Sequence, residues 1–448
     1  MEFVSHRDWD WVARTIKRAE IDFGSLGSRW LTFNQLSYES CVAGIDRLGP
    51  GGHAAFRRAS QIASTNAHWL PSFEPGAPDA AVGILKRFAK CALDHRYTPT
   101  LGLSGGLDSR LLLSILLAGT KCGFVTHTFG DPEDPEVRIA ESIAKQLEIP
   151  HDILNDALPD VETCISAISE FVAQTFLIEP ATSYLKLRYY TKLRRDGKLL
   201  IDGGFGEIGR RQYLNRVVRF GRSALRSRDA SRLFDLMRVH RADIFSPDVT
   251  RSLQSGARRS LENTLEQMPA VEKIGIENFA DLFAVRTRVP NYGAPEQSRI
   301  DAEVLNFMPL VQPSFLRAVF RVPVKVRSNA GLYYDAILRL SPPLALFPLV
   351  KAGLTYRFGV SSSLAWLITR MKTIVTKPYS DPNPHRLLVH LREHVTDVAH
   401  SKNVTSNPTY DSRAIIDAVT RYYNGDMRLR DTVDWWLTYE LWQRSLSR

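Results

Sequence analysis

The order of sequence patterns predicts an α/β protein: a doubly wound parallel sheet with a helical C-terminal half and a small, truncated, β-rich N-terminal unit. Three observations carry this expectation. Between residues 98 and 201, short β-branched or aromatic runs alternate with stretches of helical apolar spacing, as parallel βαβ winding requires. Two of those runs end in glycine turns, Ser104-Gly105-Gly106 and Gly203-Gly204-Phe205-Gly206, and open α/β sheets bind ligands beyond the carboxyl ends of their strands. From about Tyr213 onward the spacing is almost wholly helical, closing with Val433, Trp436, Leu437, Glu440 and Leu441.

Taken in order, residues 1–75 read as strand and turn, punctuated by Gly24, Gly27 and Leu48-Gly49-Pro50-Gly51-Gly52. The proline-rich stretch 71–78 marks an edge, so two units are expected, 1–75 and 76–448. A helix is expected over 80–93 (Val82, Leu85, Phe88, Ala89, Leu93), a strand over 98–103 and an apolar helix over 108–117. A strand over 123–129, a helix over 135–147 and a strand over 198–201 follow. Trp435, Trp436 and Trp442 are read as core packing.

The chain has 448 residues, 44% hydrophobic and 24% charged, enough for two buried cores. Its longest apolar run, 111–118, is broken by Ser114 and falls short of the roughly 20 residues that span a bilayer, so no membrane association is expected. The N-terminus shows no apolar segment behind a basic one, which points to a cytoplasmic protein. Cys41, Cys91, Cys122 and Cys164 form no Cys-x-x-Cys pair and read as reduced thiols, Cys41 as a buried one. Much of the net charge of +10 lies in residues 210–241, where ten arginines face only Asp229 and Asp235. Such a stretch can meet phosphates, an acidic substrate or nucleic acid, or form a solvated helical face. A nucleic-acid partner is not expected, since aromatics suited to stacking on bases are few there: Tyr213, Phe220 and Phe234.

The chemistry concentrates at Leu103-Ser104-Gly105-Gly106-Leu107-Asp108-Ser109, which follows a strand and opens a helix. Paired glycines let backbone N–H groups approach an anion, the helix start adds a positive dipole end, and two hydroxyls add donors. Asp108 is electrostatically wrong beside bare phosphate and is expected to need a bridging Mg²⁺. The loop lacks the Gly-Lys-Ser/Thr ending of a Walker nucleotide loop. Ser-Gly-Gly-x-Asp-Ser resembles the pyrophosphate (PP) loop of enzymes that cleave ATP between its α- and β-phosphates.

More of the chain, from about residue 36 onward, resembles the asparagine synthetase-like family of ATP pyrophosphatases and implies its adenine nucleotide alpha hydrolase-like fold. Thr126-His127-Thr128-Phe129-Gly130, with the acidic stretch 131–136 and the helix 138–147, looks like the family's second strand and helix. There the strand end holds adenine, implying ATP contacts at Thr128 and Phe129. Asp202-Gly203-Gly204-Phe205-Gly206-Glu207 resembles the second nucleotide loop, implying ATP contacts at Gly203 and Gly204. Glu207 stands where the family usually has a metal-binding Asp and Ile208 where it has Glu. The resemblance thus implies a metal role for Glu207 beside Asp108, the alternative being a carboxylate at a helix start. The stretches 321–326 and 347–353 look like the segment leading to a catalytic lysine; Lys351 is the candidate, with Lys325 and Lys372 as competitors. The family's N-terminal glutaminase uses a cysteine after the initiator methionine, where this chain has Glu2; residues 44–53 and 68–71 resemble only that domain's tail.

These readings converge on a cytoplasmic ligase using ATP and Mg²⁺. It would adenylate a small-molecule or peptide carboxylate and release pyrophosphate and AMP, with Asp108 and Lys351 catalytic. The nucleophile, ammonia from a separate source or another amine, stays open. Two rivals remain: a noncatalytic ATP-binding protein and an RNA-modifying PP-loop enzyme.

Overall fold

A computed structural model describes residues 20–446, apart from 44, 46, 48, 50–52, 58, 59, 66, 67, 93–95, 120–122, 240, 352, 353 and 361–381. The expectations placed on Glu2, Cys122 and Lys372 fall outside the described residues. The architecture is α/β. Five parallel strands, β3 (Thr98–Gly102), β4 (Val125–Phe129), β5 (His151–Leu154), β6 (Lys198–Ile201) and β7 (Asn306–Phe307), stand in the order β5-β4-β3-β6-β7. Two antiparallel hairpins lie apart from this sheet: β1 (His53–Arg57) with β2 (Ser60–Thr65), and β8 (Leu349–Lys351) with β9 (Leu354–Tyr356).

The connections run outward from β3 through β4 to β5, then cross back to β6 and on to β7. Thr100 pairs with Val125 on one side and Leu200 on the other, so the chain leaves β3 and β6 at the same edge of the sheet. The point where strand order reverses therefore lies between the two glycine turns.

The helices Pro78–Ala92, Leu107–Gly119, Pro135–Gln146 and the strands β3, β4 and β6 sit where periodicity placed them. The strands β5 and β7 are additions to that reading. The sequence of β5, His-Asp-Ile-Leu, has little apolar signal, and β7 has two residues inside a helical run. What makes β7 a strand is the ladder: Leu200 N donates to Leu305 O (2.8 Å) and Asp202 N to Phe307 O (3.0 Å).

The strand-and-turn reading of residues 1–75 missed the helix Phe23–Leu31, capped by Asp22, whose carboxylate accepts from Ser25 N. Trp30 of this helix is buried and meets Phe245, Trp435 and Tyr439 edge-on at 5.2–5.9 Å. Trp436 and Trp442, from the closing helix Arg430–Leu446, belong to the same core, as expected of the tryptophan cluster. Cys41 and Cys164 are free and buried.

The helix Phe23–Leu31 crosses Pro247–Glu266 at backbone contact: a Cβ on Gly27 would lie 1.9 Å from Leu253 O, and one on Gly256 1.9 Å from Gly24 O. Carbonyl oxygens of packed helices cannot step aside as a flexible side chain does. Gly256→Ala is therefore expected to destabilise the protein by about 2 kcal/mol, the overpacking range, read as a lower urea midpoint at unchanged slope. An unchanged midpoint would mean that this crossing opens without cost.

Candidate active site

The first glycine turn is built on β3. Leu103 is pinned at its end, donating from N to His127 O (2.8 Å) while its carbonyl accepts from Thr128 Oγ1 (2.6 Å). The loop then folds on its own hydroxyls: Gly106 N donates to Ser104 Oγ (3.1 Å), and Ser104 N to Ser109 Oγ (3.2 Å). The helix Leu107–Gly119 starts directly after, with its unpaired N–H groups at the loop. Gly105 is required for a separate reason. Its carbonyl accepts from Val350 N (2.9 Å), and a Cβ there would lie 2.5 Å from Val350 Cγ2. Glycine thus lets β8 reach the loop, which brings Lys351 to the site.

The second turn follows β6. Asp202 Oδ1 accepts from Gly204 N (2.8 Å), closing the turn, and Gly204 packs against the Met308 methyl. A Cβ on Gly206 would sit 2.2 Å from Asp108 Cγ, and one on Gly203 3.3 Å from Ser109 N. The two turns touch because both positions lack a side chain. Phe205, Arg211 and Leu214 hold left-handed φ values of 63°, 54° and 53°, a concentration of backbone strain in the segment that also carries Glu207, Arg210 and Gln212.

Between the turns lies a cavity of about 490 Å³. Of the residues singled out from sequence, Ser104, Gly106, Asp108, Ser109, Gly203, Glu207 and Lys351 line it together. Leu103 is buried beneath the loop, and Thr128 is buried in the sheet between Leu103 O and His151. Phe129 stacks on Tyr189 at 5.3 Å and borders a separate cavity of about 240 Å³ that also meets Lys186, Arg188 and Asp434. The structure thus does not bring Thr128 or Phe129 into the cavity of the first loop. Lys325, on the short helix Val324–Arg327, does not line it either.

Residues missed in the sequence complete the walls: Asp202, Arg210, Gln212, Tyr334 and Tyr356. Arg210 Nε stands 2.9 Å from Asp108 Oδ1, and Arg288 Nε donates to Glu207 Oε1 at 2.9 Å. Arg210 was countable only as one of ten arginines; its one local signal is its place three residues after Glu207. Arg210 thus places a cation beside Asp108. Burial raises the Asp108 carboxyl from 3.8 to about 6, with Arg210 opposing and Glu207 adding to the rise. Burial, and then Arg210, lowers the Lys351 ammonium.

A divalent ion fits this donor set in one way. Asp108 Oδ1 is buried and receives no directed hydrogen bond, Arg210 being close but poorly aligned. Among the described residues no three His, Cys, Asp or Glu side chains gather around a metal-sized point. An ion on Asp108 and Glu207 would take its remaining ligands from phosphate and water, the usual habit of Mg²⁺.

No family model and no curated protein matches this chain. Among solved structures, NMN synthetase from Francisella tularensis is similar over 51% of this chain and 92% of its own, at 13% identity and a TM-score of 0.25. A likeness that remote carries no argument. Among the described residues no helix is long and apolar enough to cross a membrane.

The Asp108 carboxyl supplies a test of the site's electrostatics. Its folded value of about 6 lies above the unfolded 3.8, so ionisation weakens the fold fully above pH 6 and not at all below about pH 4. Asp108→Asn removes that cost. The variant is expected to melt higher than the wild type at pH 8, with the gain shrinking as pH falls toward 4 in thermal scans. A gain that grows on acidification would reverse the sign of the burial effect.

Proposed function

We propose that this chain is an asparagine synthetase-like, ATP-dependent ligase that adenylates a substrate carboxylate and passes the acyl group to an amine. The observation that supports this most is the convergence of an anion-binding loop, a second glycine turn and Lys351 on one cavity at the point where strand order reverses. Backbone N–H groups of the first loop and the Ser104 and Ser109 hydroxyls would hold the β- and γ-phosphates. A carboxylate oxygen attacks the α-phosphorus, the bond to the bridging oxygen breaks, and pyrophosphate leaves. The Lys351 ammonium would offset charge on the α-phosphate oxygens as that step proceeds. The amine lone pair then attacks the acyl carbon, AMP departs and the amine nitrogen gives up a proton, leaving an amide. Asp108 and Glu207 would hold Mg²⁺, which would screen the triphosphate charge. Residues 1–75 would be a remnant of a glutaminase, so ammonia from a separate protein or another amine would serve as nucleophile.

One observation favours a second reading, a noncatalytic nucleotide-binding protein: both carboxylates assigned to the metal are paired with arginines. AMP formation separates the two readings. With ATP, Mg²⁺ and a panel of carboxylic acids, pyrophosphate exchange into ATP is expected with at least one acid. Asp108→Ala is expected to abolish it, and Lys351→Met to lower it by about 10²–10³, the cost of losing one electrostatic stabiliser of a transition state. Exchange that survives Asp108→Ala would overturn the mechanism.

A further inference from the structure

The two arginines at the acidic wall are held very differently. The Arg288 guanidinium lies 4.7–5.5 Å from the ring centres of Phe205, Tyr213 and Tyr292, with Glu207 closing the fourth side. A cation enclosed by three aromatic faces and a carboxylate is held fixed behind Glu207. Among the described residues Arg210 has no aromatic neighbour of that kind. It lies on the cavity surface, and its contacts are Nε beside Asp108 and Nη1 donating to Gln212 Oε1. Among the described residues no partner meets Nη2. The contact with Asp108 is itself short of a directed hydrogen bond, since both Nε and Oδ1 are buried without one. Arg210 is thus a cation at the mouth of an anion site, close to its carboxylate yet poorly aligned with it.

Resting on the proposed nucleotide-dependent function, we propose that Arg210 serves two anions in turn: it occupies Asp108 while the site lacks nucleotide, and moves to the phosphates when nucleotide and divalent ion arrive together. The chemistry favours this exchange. A guanidinium presents a planar fork that pairs with two phosphate oxygens at once, and charge-assisted bonds of this kind exceed neutral ones roughly twofold. As long as Arg210 neutralises Asp108, a bare divalent ion gains little there and must displace a cation. When a triphosphate enters, its oxygens compete for Arg210 and release the carboxylate to the ion. Metal and nucleotide then bind cooperatively, and linkage requires each to raise the affinity for the other by the same factor. Lys351, whose ammonium is lowered partly by Arg210, supplies the second cation of the same phosphate pocket. The aromatic seat of Arg288 explains why only one of the two arginines would move.

The test uses the full chain and Mn²⁺ as the probe, read by electron paramagnetic resonance, with ATP binding read by calorimetry. Without nucleotide, wild type is expected to bind Mn²⁺ weakly and Arg210→Met at least tenfold more tightly. With Mn²⁺ present, Arg210→Met is expected to bind ATP at least tenfold more weakly than wild type. Adding Asp108→Asn to Arg210→Met is expected to abolish the gained Mn²⁺ binding. Equal nucleotide-free Mn²⁺ affinity in wild type and Arg210→Met overturns the exchange, as does a gain that persists with Asp108→Asn. Equal ATP affinity overturns the phosphate contact. Should Arg210→Met fail to fold, Arg210→Lys decides: it keeps the cation but not the fork, so Mn²⁺ stays excluded while ATP binding falls, and unchanged ATP binding overturns the proposal. If wild type binds no ATP at all, the nucleotide function fails and the phosphate half of the exchange with it. The nucleotide-free Mn²⁺ comparison still decides whether Arg210 guards Asp108.

Discussion

The geometry of the site depends on one buried cation, Arg110, on the first loop's own helix. Its side chain is fully buried and among the described residues meets no carboxylate; instead it donates to the carbonyls of Phe347 (2.7 Å), Pro348 (2.8 Å) and Leu344 (3.3 Å). Burial lowers its guanidinium to about 10, so it stays charged at neutral pH. Lysine could not take its place, because an ammonium has neither the planar spread nor enough reach to satisfy carbonyls from three residues at once. These bonds fix the chain just before β8, and the Gly105–Val350 contact fixes β8 itself. Lys351 is therefore referenced to the loop through two independent ties, although some 240 residues separate them in sequence.

That arrangement explains how a strained and charged pocket can persist. Three left-handed non-glycine residues fall in the segment that carries Glu207, Arg210 and Gln212, and both carboxylates of the cavity, Asp108 and Glu207, are paired with arginines. Each would be unfavourable alone, and each is held by neighbours with little freedom to yield: Gly206 against Asp108, Phe205 against Gly293, and Tyr333 donating to Gly206 O. Such strain is stored where the surroundings over-determine the backbone, and a preformed site for developing charge has the same requirement. The wall is also selective. Arg288 is seated among rings and Arg210 is not, so stiffness and responsiveness sit side by side in the same stretch of surface.

Much of this was legible in the sequence because it rests on local rules. The Ser-Gly-Gly-x-Asp-Ser pattern, the apolar helix after it and the alternation of strand and helix are short-range signals, and the loop residues Ser104, Gly106, Asp108 and Ser109 do share a cavity. Lys351 joins them through contacts that no local rule contains. The strand β7 escaped because two residues carry no periodicity, and the helix Phe23–Leu31 because Gly24 and Gly27 read as turn signals. Those glycines mark a close helix crossing, and only the partner helix reveals it. The pairing of Asp108 with Arg210 was equally hidden, since no local signal in either segment names the other as its partner.

The arginine-rich segment shows how far a linear charge count departs from a surface. Of its ten arginines, Arg216, Arg219, Arg222, Arg226 and Arg232 are exposed, while Arg210, Arg211, Arg228, Arg238 and Arg241 are half-buried. Arg241 lies 4.2 Å above the Trp435 ring and donates to Arg29 O, and Arg228 donates to Met268 O. Arg222 pairs with Glu277 at 2.9 Å. Charges spent on carbonyls, rings and carboxylates project little field. Half of this segment's arginines are thus directed inward, toward holding the helical half together and, at Arg210, toward Asp108 in the cavity between the two glycine turns.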